Sequence, residues 1–224
     1  MARKFSGPPS RRLPITGRAA RLSGMRFTLA NWLTVSRVPA MFAIVWLMDR
    51  GTPWAPTIAF WLFIAAALTD WFDGMIARAR GEVSSFGRFM DAVIDKVMVI
   101  GLMIALVVGD YFMGKEAYAM ALLLCILGRE FLVSGMRMAA ATKGLVVEAD
   151  TGGKIKTFVQ LNSIGWLLGA RMFEKDYAGV GFLGDPGFVR FIHYGGMVLY
   201  MLAAVLTITS GISYFRKHGH VVLE

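Results

Sequence analysis

The chain has 224 residues, 56% of them hydrophobic and only 17% charged, with a mean hydropathy of +0.57. A soluble domain carries about 45–50% apolar and about 25% charged residues, so this composition excludes an ordinary soluble enzyme, a disordered chain and a nucleic-acid module. Lys and Arg number 24 against 15 Asp and Glu, a net charge of +9. On so apolar a chain that excess suits the anionic cytoplasmic face of a membrane. The one cysteine, Cys125, excludes a disulfide framework and a cysteine-based zinc site.

Residues 1–29 form a basic arm. Arg3, Lys4, Arg11, Arg12, Arg18, Arg21 and Arg26 face no acidic residue there, and Pro8, Pro9 and Pro14 confine any surface helix to 15–27. The positive-inside rule keeps this arm in the cytoplasm, where it serves orientation and contact with anionic lipid. Six apolar segments follow, at 30–48, 53–79, 85–109, 117–141, 154–172 and 188–215. A helix of about 20 residues crosses a bilayer, so each is a candidate span. Turn residues separate them at 51–53, Gly81, Gly114, Gly144, 152–153 and 184–186. The first segment contains Arg37 and lacks a small-residue cleavage site, so it reads as a span rather than a removable leader. Six crossings return the tail, 216–224, with Arg216 and Lys217, to the cytoplasm. The expectation is an all-α integral membrane protein of the cytoplasmic (inner) membrane. One six-helix domain, 30–215, lies between an arm and a tail that are both cytoplasmic.

Charge within the spans carries the functional signal. The second segment is apolar from Trp54 to Leu68 and then reads Thr-Asp-Trp-Phe-Asp-Gly, placing Asp70 and Asp73 at i and i+3. The third opens with Asp91 and Asp95 at i and i+4, and is uninterruptedly apolar only after Lys96. Each pair shares a helix face. Lipid tolerates neither pair, so both are expected to face the protein interior or a wet cavity. Four carboxylates at one end of neighbouring helices repel, and bound cations relieve that repulsion. All-oxygen donors favour Mg2+ or Mn2+ over zinc or copper. A purely structural network with Arg78, Arg88 and Lys96 is the plainer alternative. Gly74, Ala77 and Gly87 leave room beside these acids for a ligand or for tight helix packing.

The run Asp70-x2-Asp73-Gly74-x2-Ala77-Arg78-x8-Gly87-x3-Asp91-x3-Asp95 resembles the signature of the CDP-alcohol phosphotransferases, with all eight positions filled. The resemblance implies a six-span enzyme, expected as a homodimer, that moves a phosphatidyl-type group from a CDP-linked lipid to an alcohol and releases CMP. By that likeness Asp70, Asp73, Asp91 and Asp95 hold two divalent ions on the donor's pyrophosphate. Asp95 is implied to deprotonate the acceptor as well, although spacing alone leaves open which aspartate serves as base. Gly74, Arg78 and Ser84 resemble contacts to the CDP moiety. Ser84 serves equally well as a helix cap. In the first span Asn31, Thr34 and Arg37, at i, i+3 and i+6, resemble the donor-lipid contacts of phosphatidyl-transferring members. Their alternative is an interfacial anchor with Arg37 snorkelling.

The fourth segment contains Arg129-Glu130-x2-Val133-Ser134-Gly135-x-Arg137, and the fifth opens Lys154-x-Lys156-Thr157. Arginine grips phosphate bidentately and lysine adds a point charge, so this positive half suits an acceptor that already carries a phosphate. The pattern resembles family members that use sn-glycerol 3-phosphate with CDP-diacylglycerol. Arg129 paired to Glu130 or an aspartate, and the other cations marking the membrane boundary, is the plainer reading. Members acting on an inositol phosphate, cardiolipin synthases of this type and a divalent-cation transporter are the alternatives. A transporter is disfavoured because the acids gather at one end rather than at the midplane. His193 reads as a packed or interfacial residue, and His218 and His220 form too short a motif to assign.

Overall fold

A computed structural model describes the backbone of residues 29–80, 85–142 and 152–223. It describes the side chains within those stretches except at 29–33, 70–80, 85–89, 91–92, 141, 152–154 and 218–223. The described residues form six α-helices and no strand: α1 (Leu29–Asp49), α2 (Ala55–Arg80), α3 (Ser85–Val108), α4 (Glu116–Thr142), α5 (Gly152–Asp176) and α6 (Pro186–Leu223). A short 3-10 turn, Gly181–Gly184, precedes α6. The first five helices begin and end within a few residues of the apolar segments. The last continues to Leu223, so residues 216–223 are helical and continuous with the sixth apolar segment. The basic arm and its surface helix lie outside the described residues.

Local chemistry explains the helix ends. Asp185 caps α6, its carboxylate accepting the Phe188 N–H at 2.9 Å, and Pro186 occupies the first helical position. Gly184 is required just before, because a Cβ there would sit 2.2 Å from the Tyr177 carbonyl. The α3–α4 join turns at Gly114, whose φ is +81°. The α2 start is capped from another helix: Asp176 accepts from the Trp54 N–H, the Thr57 N–H and the Thr57 hydroxyl at 3.0, 2.9 and 2.7 Å.

Cross-helix pairs give the direction of each rod. Thr57, Phe60 and Phe63 of α2 meet Asp176, Gly169 and Gly165 of α5, so these two run antiparallel. Phe173 and Trp166 of α5 meet Phe188 and Phe191 of α6, again antiparallel. Ala119, Arg129 and Arg137 of α4 meet Tyr200, Ser210 and Tyr214 of α6, so α4 and α6 run parallel. Lys96 of α3 reaches Ser134, while Phe112, just past α3, stacks on Tyr200. Thus α3 and α5 run against α2, α4 and α6. The C-terminal turns of α2, α4 and α6 and the first turns of α3 and α5 gather at one end.

Small residues make the closest seams. A Cβ on Gly195 would fall 2.4 Å from the Trp166 ring, and one on Gly196 would fall 2.9 Å from Leu167, so α5 and α6 touch almost backbone to backbone. Ile44, Phe63, Leu102, Met103, Leu106, Ile126, Ile164, Leu167 and Tyr200 fill the interior. The exterior is equally apolar: Phe42, Trp46, Trp61, Ile104, Leu124, Phe131, Val198 and Met201 all point outward. A soluble protein rarely exposes such continuous apolar surface, whereas hydrocarbon suits it. The stretches Glu116–Ala140 and Pro186–Lys217 are long and apolar enough to cross a membrane. Within α2 the described apolar stretch is Ala55–Thr69.

The end opposite to Asp95 is cross-tied by polar contacts. Arg171 donates to the Gly109 and Asp110 carbonyls at 3.1 and 2.8 Å, and its guanidinium lies 4.6 Å from the Tyr111 ring centroid. Burial pushes the Tyr111 phenol above its usual range, against the opposing pull of Arg171. His193 is buried, as its sequence context suggests, with Nε2 2.6 Å from the Tyr111 carbonyl. A carbonyl only accepts, so Nε2 carries the proton.

Candidate active site

The expected site residues converge on one end. Asp70, Asp73, Gly74, Ala77 and Arg78 lie on the last turns of α2, and Gly87, Asp91 and Asp95 on the first turns of α3. Of the four aspartates only Asp95 has a described side chain, and it is half-buried. Asn31 and Lys154 sit on α1 and α5 with side chains outside the described set, and Ser84 falls in the undescribed join between α2 and α3. Thr34 and Arg37 are buried in α1, with Arg37 only 1% exposed. An interfacial anchor snorkels to water, so such burial favours an interior role for Arg37 over the anchoring one.

Lys96 Nζ donates to the Ser134 hydroxyl at 2.5 Å, tying α3 to α4. Arg129 links α4 to α6: Nη1 donates to Glu130 at 3.1 Å and Nη2 to Ser210 of α6 at 3.0 Å. Lys156, 6% exposed, also pairs with Glu130. Arg137 donates through Nε to the Tyr214 hydroxyl at 3.4 Å, with its guanidinium 5.4 Å from that ring's centroid. Lys156 lies within electrostatic reach of Arg129, Lys96 and Asp95, and Lys96 within reach of Arg137 as well. The cluster therefore joins α3, α4, α5 and α6 around one carboxylate of the expected metal set.

Both sequence readings of Arg129 meet here. It pairs with Glu130, as the plainer reading has it, while standing in the same cluster as Arg137 and Lys156. Among the described residues no three His, Cys, Asp or Glu side chains gather as a metal site. The donor chemistry nevertheless fits a hard divalent ion, because the last turns of α2 and the first turns of α3 supply carboxylates and no thiol or imidazole.

Sequence reasoning did not single out Ser210, Gly211 and Tyr214, and it gave Ser134 no partner. A signal was present: Ser210 and Tyr214 are polar residues one turn apart on α6, close to Thr207, Thr209 and Ser213, with Tyr214 buried and Ser210 half-buried. On the lipid side of the cluster, an apolar cleft of about 440 Å³ runs between α2 and α5, lined by Phe60, Phe63, Ala67, Phe158, Gly165 and Gly169. It begins one turn from Asp70 and two residues from Lys156.

This arrangement defines a class of protein. Residues 27–212 match the family model for CDP-alcohol phosphatidyltransferase, and the chain belongs to that family. It is 34% identical over 189 residues to the CDP-diacylglycerol--glycerol-3-phosphate 3-phosphatidyltransferase of Rickettsia bellii (strain RML369-C), an overlap of 84% of this chain and 93% of that protein. Proteins of the same description from Rickettsia typhi and Salmonella choleraesuis are 33% and 32% identical, over 84% and 85% of this chain and 95% and 94% of their own lengths.

Proposed function

We propose that the chain transfers the phosphatidyl group of CDP-diacylglycerol to sn-glycerol 3-phosphate, giving phosphatidylglycerophosphate and CMP. The names of its relatives support both substrates. The observation that carries the acceptor is the charge balance of the cluster. Among the described residues, Lys96, Arg129, Arg137 and Lys156 gather with Asp95 and Glu130, an excess of two positive charges. A phosphate monoester brings about two negative charges near neutral pH. Arg129, Arg137, Lys154 and Lys156 hold that phosphate, with Glu130 keeping Arg129 and Lys156 apart until it arrives.

On the donor side, Asp70, Asp73, Asp91 and Asp95 hold divalent metal, Mg2+ or Mn2+, as two ions. When bound, the metal neutralises the pyrophosphate and stabilises the leaving CMP. Arg78, Ser84, Gly74, Ala77 and Gly87 receive the nucleotide, and Asn31, Thr34 and Arg37 meet the lipid side of the donor. The α2–α5 cleft suits one acyl chain, since it is apolar and starts level with the aspartates. The acceptor hydroxyl oxygen attacks the lipid-side phosphorus while Asp95 takes its proton. A new phosphorus–oxygen bond forms as the bond to CMP breaks, and CMP leaves with that electron pair. Proximity of acceptor and donor in one cleft supports direct transfer. The six helices span the inner membrane with both termini and the site on the cytoplasmic side, a topology that the alternating helix directions and the basic arm support.

The test is purified protein with Mg2+, CDP-diacylglycerol and one acceptor at a time: glycerol 3-phosphate, an inositol phosphate or phosphatidylglycerol. CMP release with glycerol 3-phosphate alone is expected, stopped by EDTA and restored by Mg2+. Release with only another acceptor reassigns the substrate, and turnover in EDTA removes the metal.

A further inference from the structure

The chemistry just set out uses α1 to α5, yet both acceptor arginines end on α6. Arg129 Nη2 donates to Ser210 Oγ at 3.0 Å, and Ser210 commits its own proton to the Thr207 carbonyl at 3.0 Å. The Ser210 lone pairs are thereby turned toward the guanidinium. Gly211 supplies the space: a Cβ there would fall 2.5 Å from Arg129 Cγ, so the arginine stem lies where a side chain would otherwise be. One turn later Tyr214, 2% exposed, accepts from Arg137 Nε and sets its ring beside the guanidinium. Engagement through Nε leaves the two terminal nitrogens as the edge that grips phosphate. An unanchored arginine samples many rotamers, and freezing them on binding costs affinity.

We propose that Ser210, Gly211 and Tyr214 are positioning residues: α6 aims Arg129 and Arg137 at the acceptor's phosphate and so sets the selectivity for a phosphorylated acceptor. This rests on the acceptor site proposed above and extends it to a helix outside the aspartate signature.

Steady-state kinetics with both substrates varied test it. Ser210→Ala and Tyr214→Phe each raise the KM for glycerol 3-phosphate about five- to tenfold, the size expected for the loss of one ordinary hydrogen bond. The KM for CDP-diacylglycerol stays within twofold, and Ser210→Thr restores the acceptor KM. In an Arg129→Ala background, Ser210→Ala adds less than a twofold change, because its effect passes through that arginine. An equal rise in both KM values, or a full Ser210→Ala loss without Arg129, overturns the proposal. If wild-type protein works only with another phosphorylated acceptor, the acceptor identity fails, and the same split read on that acceptor still decides the role of α6. A wild-type protein that uses only an acceptor without phosphate overturns both.

Discussion

Asp95 belongs to two sets at once. It closes the aspartate series of α2 and α3, and it lies within electrostatic reach of Lys96 and Lys156. A carboxylate placed between the proposed metal ligands and the cations proposed to hold the acceptor is suited to take a proton from that acceptor. Asp95→Asn is expected to lower turnover at least 100-fold, since general-base catalysis alone contributes about 10²–10⁴-fold. The variant should purify as a monodisperse, helical protein. Near-full activity would remove Asp95 from both roles. At this scale the sequence was most informative where partners are close along the chain, as with Arg129 and Glu130. It was silent on Lys96–Ser134, Arg137–Tyr214 and Arg129–Ser210, which join residues 38, 77 and 81 positions apart. Such pairs are fixed by how helices rotate against one another, and periodicity within one helix does not contain that angle.

Among the elements, α2 shows how a helix end can be completed from elsewhere. Its first N–H groups are satisfied by Asp176 of α5, where no residue at its own start supplies a side-chain cap. Loss of a cap costs about 0.5–2 kcal/mol. Asp176→Ala is therefore expected to lower the thermal unfolding midpoint in detergent, with Thr57→Val giving a smaller drop. Activity below the transition should persist, because this contact lies at the far end from Asp95. An unchanged midpoint would show that the tie contributes nothing to stability. Helix boundaries were legible because glycine and proline mark the joins. The exception is the end of α6, where residues 216–223 hold no proline and only Gly219, too weak a break to stop a helix already packed on two neighbours.

For the whole molecule, composition announced a membrane protein, and short joins announced alternating directions. Which helices touch was not legible: α6 lies against both α4 and α5, and α1 packs on both α2 and α3. Lipid-facing and buried surfaces are equally apolar here, so no hydrophobic stripe distinguishes them. The proposed topology has a direct check. In a Cys125→Ser background, an impermeant thiol reagent added to intact cells should label Lys115→Cys and spare Lys217→Cys until the membrane is opened. Labelling of both from outside would break the six-crossing arrangement.

The polar ties at the end remote from Asp95 have a mechanical consequence. Arg171, Asp176 and His193 fasten α2, α3, α5 and α6 by backbone carbonyls and amides, groups that do not rearrange when substrate comes and goes. Those four helices are thereby pinned to one another at the foot of the bundle. Any yielding that the proposed lipid donor requires on entry is thereby shifted toward the end that carries Asp95.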